Sequence, residues 1–300
     1  MAPVSYTVRS TTCAKWGGFP VTEQPPGQAQ QDAFRFEIDT TAANPARLLN
    51  FLAGGDDNFS VDRVMADYLT EVVPGGLEVA RANVQATVDF TVRAVRYLVE
   101  AGIRQFLVVG APIPTDDDVH TVAQRLAPES RVVYIGNDSV VLAHAHELRR
   151  STTAGATVYV HGDLHDPEAI LGTVRETFDL ARPVAVLWLG TLNLVPDERA
   201  PYGIVAQLME PMPSGSHLVV AHTSDDVPAE WVAVVAERLS KALGATWVVR
   251  SRPEILRFFT GLDLVDPGLV QIDQWRPDPD RQIPGTTHYI PVYAAIGHKP

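Results

Sequence analysis

The segment Ala101 to Asp138, AGIRQFLVVGAPIPTDDDVHTVAQRLAPESRVVYIGND, narrows the fold more than any other part of the chain. Ile103 to Val109 is a short β-branched apolar run that stops at Gly110, and Asp116 to Leu126 has the charged start and apolar spacing of an amphipathic helix. A second apolar run, Arg131 to Ile135, ends in Gly136, Asn137 and Asp138, and helical spacing resumes from Ser139 to Arg150. This alternation is the opening half of a doubly wound α/β sheet. Such sheets bind ligands beyond the carboxyl ends of their strands, at the switch point beside the first one. The loops Gly110 to Thr115 and Gly136 to Asp138 are therefore expected to line a site.

The flanking segments extend the same pattern. Leu77 to Ala101 is the longest predicted helix, with Val84, Val88, Val92, Val95 and Leu98 spaced for one buried face. Ala156 to Val160 is a third strand, ending in His161-Gly162-Asp163-Leu164, and Asp166-Pro167 starts a helix with proline in its first turn. Pro183 to Leu189 is almost wholly apolar, as a strand buried on both faces would be, and it runs into Gly190-Thr191-Leu192-Asn193. Tyr202 to Met209 and Pro228 to Leu243 read as helices and His217 to His222 as a fifth strand. Thr246 to Arg250, Val270 to Trp275 and Tyr289 to Ile296 read as terminal strands, at least two of them antiparallel. Upstream, residues 1–44 show no sustained period and read as an arm. Residues 45–101 supply short helices and the lead-in helix, and 102–300 the sheet domain.

Composition narrows the function. With 300 residues and 46% apolar content the chain can bury one large domain. A net charge of −12 argues against a nucleic-acid footprint, which needs clustered Lys and Arg. The single cysteine, Cys13, rules out an internal disulfide and a multi-thiolate metal centre, as expected for a reducing, cytoplasmic setting. No apolar run approaches the roughly 20 residues that span a bilayer. The expected partner is a small-molecule substrate, with neither nucleic acid nor membrane involved, and a homodimer is the assembly considered.

The loop after the first strand keeps only Gly110 of a dinucleotide fingerprint. Pro112 and Pro114 remove two backbone donors, and Asp116, Asp117 and Asp118 place carboxylates where a polyphosphate would sit. A cationic or neutral ligand fits better than NAD or ATP.

From about Pro45 to Pro300 the chain resembles the actinobacterial S-adenosylmethionine-dependent methyltransferases once grouped as a domain of unknown function. The resemblance rests on Phe51 to Phe59 (FLAGGDDNF) with Asp62-Arg63, Ala80 to Asn83 (ARAN), Ala101 to Phe106 (AGIRQF), Asp163 with Asp166 to Ile170 (DPEAI), Val195-Pro196-Asp197 and Gly297 to Pro300 (GHKP). It implies a mostly parallel, seven-stranded, Rossmann-like methyltransferase sheet under a helical lid, with S-adenosylmethionine as cofactor. Gly110, Ala111 and Thr115 would then wrap the methionine end, Asn137 and Asp138 would hold the ribose, and Asp163 and Leu164 would meet adenine. Gly190, and from the lid Asn58, Arg63 and Arg81, would complete the cofactor site. Several residues depart from the family pattern. Gly110-Ala111-Pro112 stands for a glycine-threonine-glycine loop and Val108 for an acid. Gly136 stands where the ribose-binding acid belongs, Leu49, Asn50 and Phe51 for tyrosine, aspartate and tyrosine, and Asn193 for a histidine.

Individual residues admit two readings each. Asp163 is an adenine contact or a helix cap. His161, Asp163 and His165 alternate as ligands could, but no third fixed ligand for a metal is evident. His222 and Asp225 could carry acid/base chemistry or form a hydrogen-bonded loop pair. Asn193 could orient a substrate carbonyl or satisfy turn backbone. Arg63 and Arg81 could bind a carboxylate or pair between helices. His144 and His146 read as surface residues, and without a Gly-x-Ser-x-Gly elbow a hydrolase has little support. Two enzymatic functions remain: methyl transfer to a small molecule, and a methyltransferase-shaped enzyme that no longer methylates and instead cyclises or isomerises an intermediate. A ligand-binding regulator is the third.

Overall fold

The computed structural model describes residues 5–9, 33–37, 40–113, 115, 117–136, 141, 154–226, 230–244, 246–278 and 290–300. Its centre is β3 (Gln105–Val109), buried at all five positions. Parallel neighbours β4 (Arg131–Gly136) and β6 (Ala185–Leu189) flank it, in the register Val109 with Ile135 and Val108 with Leu187. Beyond them lie β5 (Ala156–His161) on one side and β7 (His217–Thr223) on the other, both parallel. β10 (Val292–His298) returns antiparallel to β7 and carries two short strands, β8 (Asp263–Leu264) and β9 (Val270–Gln271). Among the described residues the sheet has eight strands, ordered β5-β4-β3-β6-β7-β10-β8 with β9 also on β10. The resemblance implies seven strands; the eighth arises because Asp263–Leu264 adds a short piece, while of the expected strand Val270 to Trp275 only Val270–Gln271 pairs before a 3-10 turn at Ile272–Gln274, and the mostly parallel α/β architecture stands.

Alternation along β3 and β6 sends successive side chains to opposite faces. Phe106 and Val108 meet Val95, Leu98 and Val122 from α3 (Gly76–Glu100) and α4 (Val119–Leu126), with Phe90 edge-on to Trp275 at 5.5 Å. Leu107, Val109 and Trp188 face α5 (Pro167–Thr177) and α6 (Pro201–Met209). Both layers are dry, so the carboxyl ends of the strands are where polar chemistry can collect.

α4 starts at Val119, three residues later than the aspartate run suggests. Asp118 turns back: its carboxylate accepts from the Thr115 amide at 2.9 Å and from Thr115 Oγ1 at 3.0 Å. Thr246 to Arg250 is not a strand. Only the bridge between Ser224 and Arg250 forms, because the Val248 amide donates to Asn193 O at 2.7 Å and the Arg250 amide to Thr223 O at 3.2 Å. In the arm, Ser5–Arg9 (β1) and Ala33–Glu37 (β2) pair antiparallel, Tyr6 opposite Phe36. Both carry the alternation of a strand, which a search for longer periods overlooks.

Two short helices, α1 (Pro45–Leu52) and α2 (Ser60–Thr70), precede α3. Asn44 caps α1 through its side chain, accepting from Ala46 N at 2.8 Å. Asp62, fully buried, joins the pair: its oxygens accept from Asn44 N at 3.0 Å, Phe59 N at 2.9 Å and Arg47 Nε at 3.0 Å.

Candidate functional site

Three segments converge beyond the ends of the central strands. After β3, Gly110 takes φ +99, a region open to glycine, and its amide donates to Ile135 O at 2.8 Å. A Cβ there would run into Thr191, whose hydroxyl donates to Val109 O at 2.6 Å. After β6, Gly190 (φ +87) opens a 3-10 turn over Thr191–Leu194. The third segment is the lid, where Ala46 of α1 and Phe59 ahead of α2 pack with Ala111, Ile113, Val141 and Tyr159. Ile113 and Val141 are buried in that cluster, which is wholly apolar apart from the tyrosine hydroxyl.

The tyrosine belongs to a buried stack. Tyr134 and Tyr159, on β4 and β5, lie parallel with centroids 4.5 Å apart. The Tyr134 hydroxyl receives the His120 amide at 3.0 Å and meets His120 Nδ1 at 3.0 Å, whereas the Tyr159 hydroxyl is buried with no hydrogen-bond partner among the described residues. Burial first, and the nearby Asp118 carboxylate second, raise the Tyr159 hydroxyl above its ordinary pKa. Burial alone lowers that of His120.

The other half of the strand ends is built around a buried cation. Arg250, 1% exposed, donates through Nη1 to Leu192 O at 3.0 Å and His222 Nε2 at 2.8 Å, and through Nη2 to Val195 O and Asp197 Oδ1, both at 2.8 Å. An arginine only donates, so His222 Nε2 must be the acceptor and the proton sits on Nδ1, 2.7 Å from Thr223 O. Burial, the largest cause, lowers the His222 pKa to about 4, with the Arg250 charge acting the same way. Asn193, also fully buried, donates through Nδ2 to Val248 O at 2.6 Å and accepts at Oδ1 from the Thr223 amide at 3.5 Å. The same Nδ2 lies 3.3 Å from His222 Nδ1.

Residues 31–300 match a family model described as S-adenosyl methyltransferase. A crystal structure of a DUF574 family protein from Streptomyces avermitilis MA-4680 is 38% identical and superposes with a TM-score of 0.83, over 88% of this chain and 100% of that one. A putative methyltransferase from Thermobifida fusca YX is 36% identical with a TM-score of 0.75, over 87% and 96%. The chain belongs to the S-adenosyl methyltransferase family. A search of the curated proteins found no match.

The residues that the family pattern nominates sit as follows. Gly110, Ala111 and Gly190 line the convergence, and Thr115 closes the first loop on Asp118. Asn137 and Asp138, like Pro114, Asp116, His144 and His146, lie outside the described residues. Asp163 is exposed, with Oδ1 accepting from the His165 amide at 2.9 Å and lying 2.7 Å from His165 Nδ1; the amide contact is the main reason its pKa is lowered. The cap of the next helix is Asp166, accepting from Ala169 N at 3.0 Å. Leu164 packs on the α5 and α6 side of the core. In the lid Asn58 bridges Asn50 Oδ1 at 3.2 Å and Gly55 O at 2.8 Å, and Arg63 holds Asn58 Oδ1 at 2.8 Å. Arg81 stands over the Phe51 ring at 5.5 Å. Asp225 lies on the exposed bend after β7 and is not among the partners of His222. Among the described residues no group of three His, Cys, Asp or Glu could hold a metal ion, and no helix is long and apolar enough to cross a membrane.

Against an adenosyl sulfonium the described lining fits in part. The Ala46, Phe59, Ile113 and Tyr159 cluster suits an apolar face. The ribose anchor is not matched at this position: glycine stands at 136, and a Cβ added there would lie 2.9 Å from Ala111 Cβ, so the backbone would have to shift to take one. Motif inspection missed Arg250 and Arg47, because neither stands in a pattern that marks a site. Their signal, a charged residue inside an apolar stretch, becomes readable only with burial known.

Proposed function

We propose that the chain is an enzyme of small-molecule, natural-product metabolism that transfers a methyl group from S-adenosylmethionine. The observation that carries this reading is the convergence of the Gly110 loop, the Gly190 turn and the α1–α2 lid over the same strand ends, in a chain of this family. The cofactor, when bound, supplies an electrophilic methyl group to an acceptor nucleophile. The protein supplies position and dryness: Thr191 fixes the Gly110 loop, and Phe59 and Ala46 exclude water from it. We assign His222 and Asn193 as positioning residues, since each spends its polar atoms inside the protein. Asp225, exposed beside them, is the candidate base.

The absence of a ribose anchor at Gly136 favours a second reading, an enzyme of this shape that folds an intermediate for cyclisation or isomerisation without methylating it. Calorimetric titration with S-adenosylmethionine and S-adenosylhomocysteine tests both. Binding of each, with S-adenosylhomocysteine released on incubation with candidate acceptors, supports methyl transfer; no binding removes it, and binding without turnover leaves the second reading.

A further inference from the structure

We infer that the groove between α6 and the 3-10 turn Arg257–Phe259 is a second binding site, for a small molecule that carries one carboxylate on an apolar body. This site is independent of methyl transfer, because it lies on the α6 face of the sheet while the lid packs on α3, against the other face. It encloses about 480 Å³, a size usual for small-molecule sites. Val205, Met209, Phe258 and Leu262 give it apolar walls that continue the core on this side.

The charges around the groove select an anion. Arg257 is exposed and stands over the Tyr202 ring at 3.9 Å, while Arg250 approaches the same ring at 5.9 Å. Arg250 is answered by Asp197 Oδ1 at 2.8 Å, whereas among the described residues no carboxylate pairs with Arg257. Acids outnumber bases 36 to 24 in this chain, so a guanidinium left open does not come from a shortage of acids. Lys299, also in the lining, gives its Nζ protons to Met209 O at 2.9 Å, Glu210 O at 2.8 Å and Met212 O at 2.7 Å. Its charge remains, but it has no donor to offer. Glu210 is the only acid in the described lining, so two cations face one anion and a single negative charge restores the balance. Arg257 can hold a carboxylate with two parallel N–H bonds.

The apolar body has room because α6 is bare on this side. Glycine weakens a helix, yet a Cβ added at Gly203 would meet nothing nearer than Ala200 Cβ at 3.8 Å. The packing of the chain itself therefore does not call for glycine there. Gly203 and Ala206, one turn apart, leave the wall free of side chains that would fill the groove.

Calorimetric titration of the full chain with 2-naphthoate, and with 2-naphthamide as its uncharged counterpart, tests the site. Wild type should bind naphthoate with a sub-millimolar Kd and the amide at least about tenfold more weakly, as the loss of a charged hydrogen bond implies. Arg257→Met should weaken naphthoate by about tenfold or more while leaving the amide within about threefold. Gly203→Leu, which favours the helix and fills the groove, should abolish binding of both without lowering the melting temperature. Ala206→Phe, at an exposed position of the same wall, should block the groove in the same way. An excess of S-adenosylhomocysteine should leave naphthoate binding unchanged. The site is refuted if wild type ignores naphthoate at millimolar concentration or binds the amide equally well. It is also refuted if Arg257→Met or both groove-filling variants bind naphthoate as wild type does, or if S-adenosylhomocysteine displaces it.

Discussion

The two halves of the strand ends were solved with opposite chemistry. At β3 and β4 the contacts are apolar: Ile113 and Val141 are buried in one cluster with Ala111 and Phe59, and Ala111 lies close beside Gly136. At β6 and β7 a guanidinium, an imidazole and an amide are all buried, with each other and four backbone carbonyls as partners. An apolar contact tolerates substitution if volume is kept, whereas a buried polar network fails when one member is lost. The first half is therefore where side chains can change without unfolding the protein, and the second is where the scaffold is fixed.

The largest expected effect breaks the second half. Arg250→Met leaves His222 Nε2 and the Val195 carbonyl without the donors they have here and takes one of two from Leu192 O, which keeps the Val195 amide, and denaturant melts should show a loss of about 3–5 kcal/mol. Asp197→Asn should cost less than about 1 kcal/mol, because that carboxylate is largely exposed. Equal losses for the two variants would mean that the ion pair, and not the carbonyl and imidazole contacts, holds the turn after β6.

Next in size is the response to acid. His222 and His217 are both held at about 4, by burial first and then, for His222, by Arg250 and, for His217, by His298. Unfolded imidazoles take up protons near pH 6.5, which the native ones refuse until about pH 4. Their contribution to stability is thus complete above about pH 6.5 and is lost as the pH falls toward 4. For a shift of this size the loss is on the order of 3 kcal/mol for a fully buried ring. His222→Gln should flatten the slope of stability against pH between 4 and 6.5; an unchanged slope would place the buried proton-refusing group elsewhere.

The same contrast explains what the sequence could disclose. Hydrophobic period and strand-ending glycines place β3, β4, β6 and α3, because burial on one or both faces writes itself into spacing. Thr246 to Arg250 looked like another strand since Trp247, Val248 and Val249 mask the arginine that follows. Its guanidinium docks 28 residues from His222 and 53 from Asp197, distances at which no local pattern exists. Ala111 and Gly136 were each visible as departures from a family, but that they touch follows only from the parallel register of β3 and β4. The spacing starts this helix at Asp116, three residues early, because a side chain's choice between capping forward and turning back, as Asp118 does to Thr115, depends on the loop.

The smallest expected effect compares two hydroxyls within one stack. Tyr134 and Tyr159 share a face-to-face contact, yet among the described residues only the first hydroxyl has a hydrogen-bond partner. Tyr134→Phe should lose about 1 kcal/mol by leaving the His120 amide unsatisfied. Tyr159→Phe should be neutral or stabilising by up to about 1 kcal/mol, because it removes a buried hydroxyl that no described residue bonds. The sign of the second change carries the information. A loss of stability would mean that the Tyr159 hydroxyl is satisfied in solution, so that the β4–β5 end holds a polar group where the structure shows an apolar wall. It would also weaken the contrast with the Arg250 side, since a polar contact would then operate in both halves.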